Sequence, residues 1–174
     1  MSDSHQAIAV AEAMTALWEG ECPATVRVLS AVPDANRDYR PAPKSRSAWE
    51  LAVHIVIADV WFIECIERGV LQFDPEAASQ AEAQLGKVSE VVALYEATIP
   101  ATLRRLRDLS GEQLAEMVDF FGVMRMSRAA WIGFATNHSV HHRGQLSAYL
   151  RTMGAKVPDI YGPSGDAEPM QASS

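Results

Sequence analysis

The sequence predicts an all-α protein, a four-helix bundle, on three observations. Four long segments carry apolar residues at alternating spacings of three and four, the pattern of a helix with one buried stripe. No segment is rich in strand signals, and no internal repeat is present. The 174 residues suffice for one domain that buries about two-thirds of its unfolded surface without disulfides or a structural metal.

Helix one is expected from about residue 7 to residue 29. Ile8, Ala11, Met14, Leu17 and Trp18 recur at helical spacing, and Cys22, Val26 and Leu29 continue the stripe. Pro23 falls inside it and should kink the helix or loosen a turn, because its ring clashes with the preceding turn and it has no N–H. Residues 32–43, with Pro33, Pro41 and Pro43, read as a loop packed along the bundle. Ser47 with Glu50 three residues later is a capping box that opens helix two at Ala48, and Gly69 stops it after Arg68. After a loop around Phe73, Asp74 and Pro75, helix three is expected from residue 78 or 81 to 109, with a break near Thr98, Ile99 and Pro100.

Residues 110–126 leave alternatives open. Ser110 to Gln113 could cap a short helix, and Val118 to Met124 reads as extended or as turn. Ser127 opens the last helix, which runs to about Met153 and ends at Gly154. The tail beyond contains Pro158, Gly162, Pro163, Gly165 and Pro169; it is expected to wrap the bundle and then become mobile. The expected organisation is a single domain over residues 1–174, with a bundle core at about 7–155 and an irregular C-terminal tail.

Composition removes several classes of partner. Fifteen basic against twenty-two acidic side chains give a net charge of −7, with the basic residues scattered apart from Arg104, Arg105 and Arg107. Binding a phosphate backbone demands a concentrated positive face, so no nucleic-acid partner is expected. No apolar run reaches the roughly 20 residues that span a bilayer, so none is expected in a membrane either. Cys22 and Cys65 form no Cys-x-x-Cys unit and the N-terminus carries no leader pattern, which points to the cytoplasm. There is no glycine-rich phosphate loop, no Gly-x-Ser-x-Gly elbow and no His-Glu-x-x-His.

The chemistry concentrates in histidine. Three of the five histidines lie between His138 and His142. Positions four apart on a helix stack one turn above each other, so His138 and His142 can aim at a common point. They fall on a stripe with Trp131, Ala135, Gln145, Tyr149 and Thr152, and in helix two His54 falls on a stripe with Leu51, Ala58, Trp61 and Cys65. Both stripes read as core-facing. Buried neutral imidazoles need partners for their nitrogens, and a divalent ion held by His54, His138 and His142 would provide one. Three neutral ligands leave the ion's charge uncancelled, which favours an activated water and an anionic ligand. Protonation below about pH 6 is expected to release the ion.

The competing reading of each histidine is a hydrogen-bonded core residue. His141 lies about 100° around the helix from His142, which leaves it pocket lining or proton carriage, and His5 reads as a disordered terminal residue. Glu50 is either a capping residue or a partner or ligand at the site, the cap being favoured. Asp59 reads as a solvent or salt-bridge residue. Gln145 is either a water-orienting group or a buried structural amide. Arg143 is assigned a helix-two acid, a substrate carboxylate or solvent, and Gly144 a close helix approach. Trp61, Trp131 and Tyr149 either wall a pocket or pack the core, and Cys65 is a small buried hydrophobe by default.

The run His138-Ser-Val-His-His142-Arg143-Gly144-Gln145-Leu146, followed by Tyr149-Leu150-Arg151 and Gly154, resembles the DinB/YfiT-like family of metalloenzymes. Trp49-Glu50-Leu51 through His54 is a second, less specific match, and the resemblance covers most of residues 7–155. It implies a bundle of up-down-down-up connectivity, often dimeric, with a divalent metal at His54, His138 and His142. It further implies an enzyme that uses the metal to activate a low-molecular-weight thiol cosubstrate, whose thiolate attacks an electrophilic small molecule. A hydrolase using activated water and a noncatalytic, metal-binding, dimeric stress-response protein are the alternatives. Zinc or nickel is the expected ion, and a homodimer acting on a small molecule the expected assembly.

Overall fold

The computed structural model describes residues 3–167. In chain order its elements are α1 (Asp3–Ser30), α2 (Ala48–Arg68), α3 (Pro75–Ala83), α4 (Val88–Arg105), α5 (Gly111–Ala115), an antiparallel hairpin of β1 (Met117–Phe120) and β2 (Met124–Ser127), and α6 (Arg128–Thr152). Single 3₁₀ turns occupy Asp34–Asn36 and Leu106–Asp108. Both α1 and α2 pack against α4 and α6, so the long helices form a ring in the order α1, α6, α2, α4. The sequence neighbours α1 and α2 stand on a diagonal of that ring, joined by the long loop at residues 31–47. The expected all-α four-helix bundle is present, with the hairpin as an insertion before its last helix.

Local signals account for most helix ends. The Ser47 hydroxyl accepts from the Glu50 amide at 3.1 Å while the Glu50 carboxylate accepts from the Ser47 amide at 2.9 Å. A cap of this kind contributes about 1 kcal/mol. At the other end of α2, Gly69 adopts φ 73°, a left-handed conformation that glycine tolerates without a Cβ penalty, and a Cβ there would run into the Arg128 guanidinium. The Ser127 hydroxyl caps α6 through the Ala130 amide at 3.2 Å. Ser110 and Gln113 form the second capping box, settling α5 as the short helix.

Three boundaries differ from expectation. Helix three is two helices, parted at residues 84–87 rather than at Pro100. Asp74 caps α3 by accepting from the Glu76 and Ala77 amides, with Pro75 at the first helical position, where its missing N–H is harmless. The start of α4 has no side-chain cap of its own; Asp34, far away in sequence, accepts from the Val88 amide at 2.9 Å. Pro100 and Pro23 both lie inside continuous helices. Around Pro23 the carbonyls of Trp18 and Glu21 take donors from Cys22 and Thr25. His5 is helical within α1 and not a disordered end.

The core is a continuous apolar cluster through all four long helices, including Trp18, Leu29, Leu51, Ile55, Ile99, Leu103, Ile132 and Leu146. Each such side chain contributes about 1.5–3 kcal/mol on burial. The tail wraps the bundle as expected as far as residue 167: Arg27 donates to the Asp159 carbonyl at 2.9 Å and Asp166 accepts from Arg151 at 2.7 Å. Pro169 and the expected mobile end lie outside the described residues. No helix among the described residues is long and apolar enough to cross a membrane.

Candidate metal centre

The seam between α2 and α6 gathers His54, His138 and His142. Nε2 of His54 stands 3.2 Å from Nε2 of His142. The His138 ring centroid is 5.1 Å from that of His54 and 4.4 Å from that of His142. One nitrogen from each ring lies within 4.8 Å of the others. Ligand nitrogens about 2.1 Å from a tetrahedral ion sit about 3.4 Å apart. The His54–His142 spacing is close to that geometry.

Two details define the state of the ring nitrogens. His142 Nδ1 lies 2.9 Å from the Gln145 Oε1; an amide oxygen only accepts, so Nδ1 carries the proton and Nε2 presents its lone pair toward His54. His138 Nδ1 is buried without a hydrogen-bond partner among the described residues, its ring held against Phe62 at a centroid distance of 5.2 Å. Such a nitrogen costs stability unless something fills the gap.

Charge state agrees with geometry. Burial, reinforced by the Arg46 charge and the neighbouring imidazoles, pushes His54 down to about 3. Burial likewise lowers His138 to about 4, and lowers His142 against the opposing Gln145 hydrogen bond. His54 and His138 therefore stay neutral well below pH 6, and burial favours the neutral form of His142 as well, so releasing an ion by protonating the first two calls for a lower pH than expected.

The expectation that both histidine stripes face the core holds for Trp131 and Ala135 on α6 and for Leu51, Ala58 and Cys65 on α2, but not for the histidines themselves. The three rings are half-buried at the edge of the seam. The face of α6 that points inward runs through Ile132, Thr136, Ser139, Arg143, Leu146 and Leu150, one residue step around from His138 and His142. A one-residue step rotates a helix by about 100°, and the imidazoles take the flank because Ser139 and Arg143 have partners inside.

Those partners overturn several readings. Asp59 is fully buried, neither solvated nor in a salt bridge; its Oδ2 accepts from the Ser139 hydroxyl at 2.8 Å, and burial holds its carboxyl well above the usual carboxylate range. Arg143 pairs at 2.6 Å with Glu21 of helix one, not with a helix-two acid, and also donates to the Tyr161 hydroxyl and the Glu21 carbonyl. Gly144 is exposed with open space around its Cα, so no close helix approach depends on it. Gln145 is exposed and fixes the His142 ring; it is not a buried structural amide. Glu50 is consumed by its cap and by Arg40, 2.7 Å away, and stands outside the cluster. His141 is exposed, its ring 4.9 Å from that of His142. Cys65 is the buried residue expected.

Beside the cluster, a cleft of about 480 Å³ opens between α2 and α3 with His54 on its wall. Trp61 and Phe73 line it, whereas Trp131 is core, donating its indole N–H to the Val118 carbonyl at 3.1 Å. Tyr149 packs edge-on against Tyr39 at 5.9 Å. Two residues at the site escaped sequence reasoning. Arg46 precedes the helix it serves, outside any periodic stripe. Ser139 was legible in principle, since it completes the stripe of Ile132, Thr136 and Arg143.

Fold and cluster together define an α-helical bundle with a three-histidine centre able to coordinate a divalent ion. The chain belongs to the DinB family, whose defining pattern matches residues 1–170. It is 26% identical to YrdA of Bacillus subtilis over 152 residues, covering 84% of this chain and 85% of YrdA. It is 30% identical to YjoA of the same organism over 118 residues, covering 67% of this chain and 73% of YjoA. The crystal structure of YjoA superposes with a TM-score of 0.66 over 87% of this chain and 99% of that one. YfiT of Bacillus subtilis, described as a probable metal-dependent hydrolase with an unusual four-helix bundle topology, superposes with a TM-score of 0.62 at 16% identity, over 87% of each chain.

Proposed function

We propose that the chain is a metal-dependent hydrolase that holds one divalent ion, zinc or nickel, at His54, His138 and His142. The observation that carries this reading is the convergence of three imidazoles, one nitrogen from each within 4.8 Å of the others, beside an open cleft. The description of YfiT as a probable metal-dependent hydrolase supports the same choice. When bound, such an ion polarises a substrate carbonyl and lowers the pKa of water. The protein's part is positional. Gln145 fixes the proton on the outer nitrogen of His142, Phe62 packs the His138 ring, and three protein ligands leave coordination positions for water and substrate. Trp61 and Phe73 exclude water from one side of the cleft.

The test begins with metal analysis of untagged protein and of the His54→Ala and His142→Ala variants. Esters, lactones and amides are then assayed with and without an added low-molecular-weight thiol. About one equivalent of ion in the parent, none in the variants, and turnover without thiol is the expected result. Strict thiol dependence would replace hydrolysis with thiol transfer, which uses the same open positions. Stoichiometric metal without turnover in either condition would leave a noncatalytic binding protein. Absence of metal would remove all three.

A further inference from the structure

The cleft beside the histidines has two unlike ends. Its wall follows α2, from Arg46 just before the helix, past His54, to Trp61. Seven residues separate His54 from Trp61, a rise of about 10 Å. The far end is aromatic: Trp61 packs edge-on against Phe73 at 6.0 Å, and its indole N–H is spent on the Gln72 carbonyl at 2.9 Å, so its ring offers only apolar surface. The near end is cationic. Arg46 is exposed, and no carboxylate among the described residues forms an ion pair with it. Its charge is nonetheless felt at all three histidines, depressing each.

Two acids share this cleft. Glu50 is neutralised by its pairing with Arg40. Glu82 stands on the opposite wall, in the last turn of α3, and is exposed. The histidine cluster itself contains no carboxylate, so nothing within it cancels either the arginine or a bound cation. A guanidinium with its donor fork uncommitted is suited to carboxylate or phosphate oxygens.

We infer that the cleft takes an amphipathic organic anion, with its carboxylate or phosphate against Arg46 and its apolar body along α2 to Trp61 and Phe73. This names the substrate class for the hydrolase reading above and rests on that reading for turnover. The bond to be cleaved then lies beside His54, between the anionic group and the apolar end. Arg46 is a positioning residue: it anchors the ligand and leaves the chemistry to the centre.

Binding tests the inference without turnover. The full chain, both chelator-treated and zinc-loaded, is titrated calorimetrically with 8-phenyloctanoate, its uncharged amide and 7-phenylheptyl phosphate. In the chelated protein the anions should bind about tenfold tighter than the amide, the scale of one charge-assisted hydrogen-bonded pair. Arg46→Gln should abolish that preference while changing amide affinity less than about twofold, and Phe73→Ala should weaken acid and amide alike. The two anionic arms distinguish a carboxylate from a phosphate ligand. Equal binding of acid and amide, no binding of any probe, or an anion preference that survives Arg46→Gln would overturn the proposal. Tighter binding of the amide would do the same by showing that Glu82 sets the field. Since the chelated protein is read separately, a failure of the metal-centre reading leaves this result interpretable.

Discussion

Two polar regions of the same helix pair differ in what satisfies them. On the flank of the α2–α6 seam, His54, His138 and His142 face one another, and the buried His138 Nδ1 has no hydrogen-bond partner among the described residues. One step further around α6, Arg143 is met by Glu21, Thr25 and Tyr161, and Ser139 by Asp59. The interior set draws partners from α1, α2 and the tail, with Asp59 Oδ1 left unpaired among the described residues, and so ties the bundle together. The flank set consists of three imidazoles with no carboxylate among them. The two differ in the company each keeps: an ion pair and hydrogen bonds to other helices inside, three imidazoles turned toward one another on the flank.

The largest effect should come from breaking the interior set. Arg143→Ala strands the mostly buried Glu21 carboxylate and removes the anchor of Tyr161, so urea unfolding should show a loss of about 3–5 kcal/mol. A loss under 1 kcal/mol would mean that this network contributes little. The flank should respond the other way. His142→Ala should lower metal affinity by at least about 100-fold, and Gln145→Ala by about tenfold through loss of ring orientation, with little change in the stability of the metal-free protein. Competition with a chromogenic chelator measures both, and equal affinities in all three proteins would place the ion elsewhere.

A subtler contrast lies within the interior set. Asp59 Oδ2 is bonded to Ser139, and the Trp18 indole faces the same carboxyl, but neither Asp59 Oδ1 nor Trp18 Nε1 has a well-formed partner. With its pKa raised above 3.8 in the fold, Asp59 keeps a proton that the unfolded chain has already released. Its contribution is therefore fully present below about pH 3.8 and is lost as pH rises toward the folded value, by at most about 1.4 kcal/mol per pH unit. Asp59→Asn cannot ionise, so its stability relative to the parent should climb between pH 4 and pH 8. A difference that stays flat over that range would show an ionised Asp59.

Much of this was legible along the chain wherever the cause was local. Ser47 with Glu50, Gly69, Ser127 and Ser110 with Gln113 act on backbone amides or carbonyls a few residues away, and the structure uses each as read. The pair His138 and His142 is likewise local, and His54 joined them through a stripe on a second helix. What failed was non-local. The division of helix three at residues 84–87 is stabilised by Asp34, 54 positions before Val88. Pro100 looked like a break, yet α4 runs through it, because the packing of a long buried stripe outweighs one missing backbone bond. Asp59 was expected in solvent or in a salt bridge and Arg143 against a helix-two acid, a substrate or solvent; their actual partners, Ser139 and Glu21, are properties of the interior.

By itself, then, the sequence determined the helical class, the capped ends and the residues capable of holding an ion, since periodicity and capping act within a turn or two. Only the tertiary structure decided which face of α6 turns inward, that Glu21 answers Arg143, and that Arg46 stands at the mouth of the cleft. Those outcomes depend on which distant groups compete for the same buried space. A residue's neighbours one turn away say nothing about that competition.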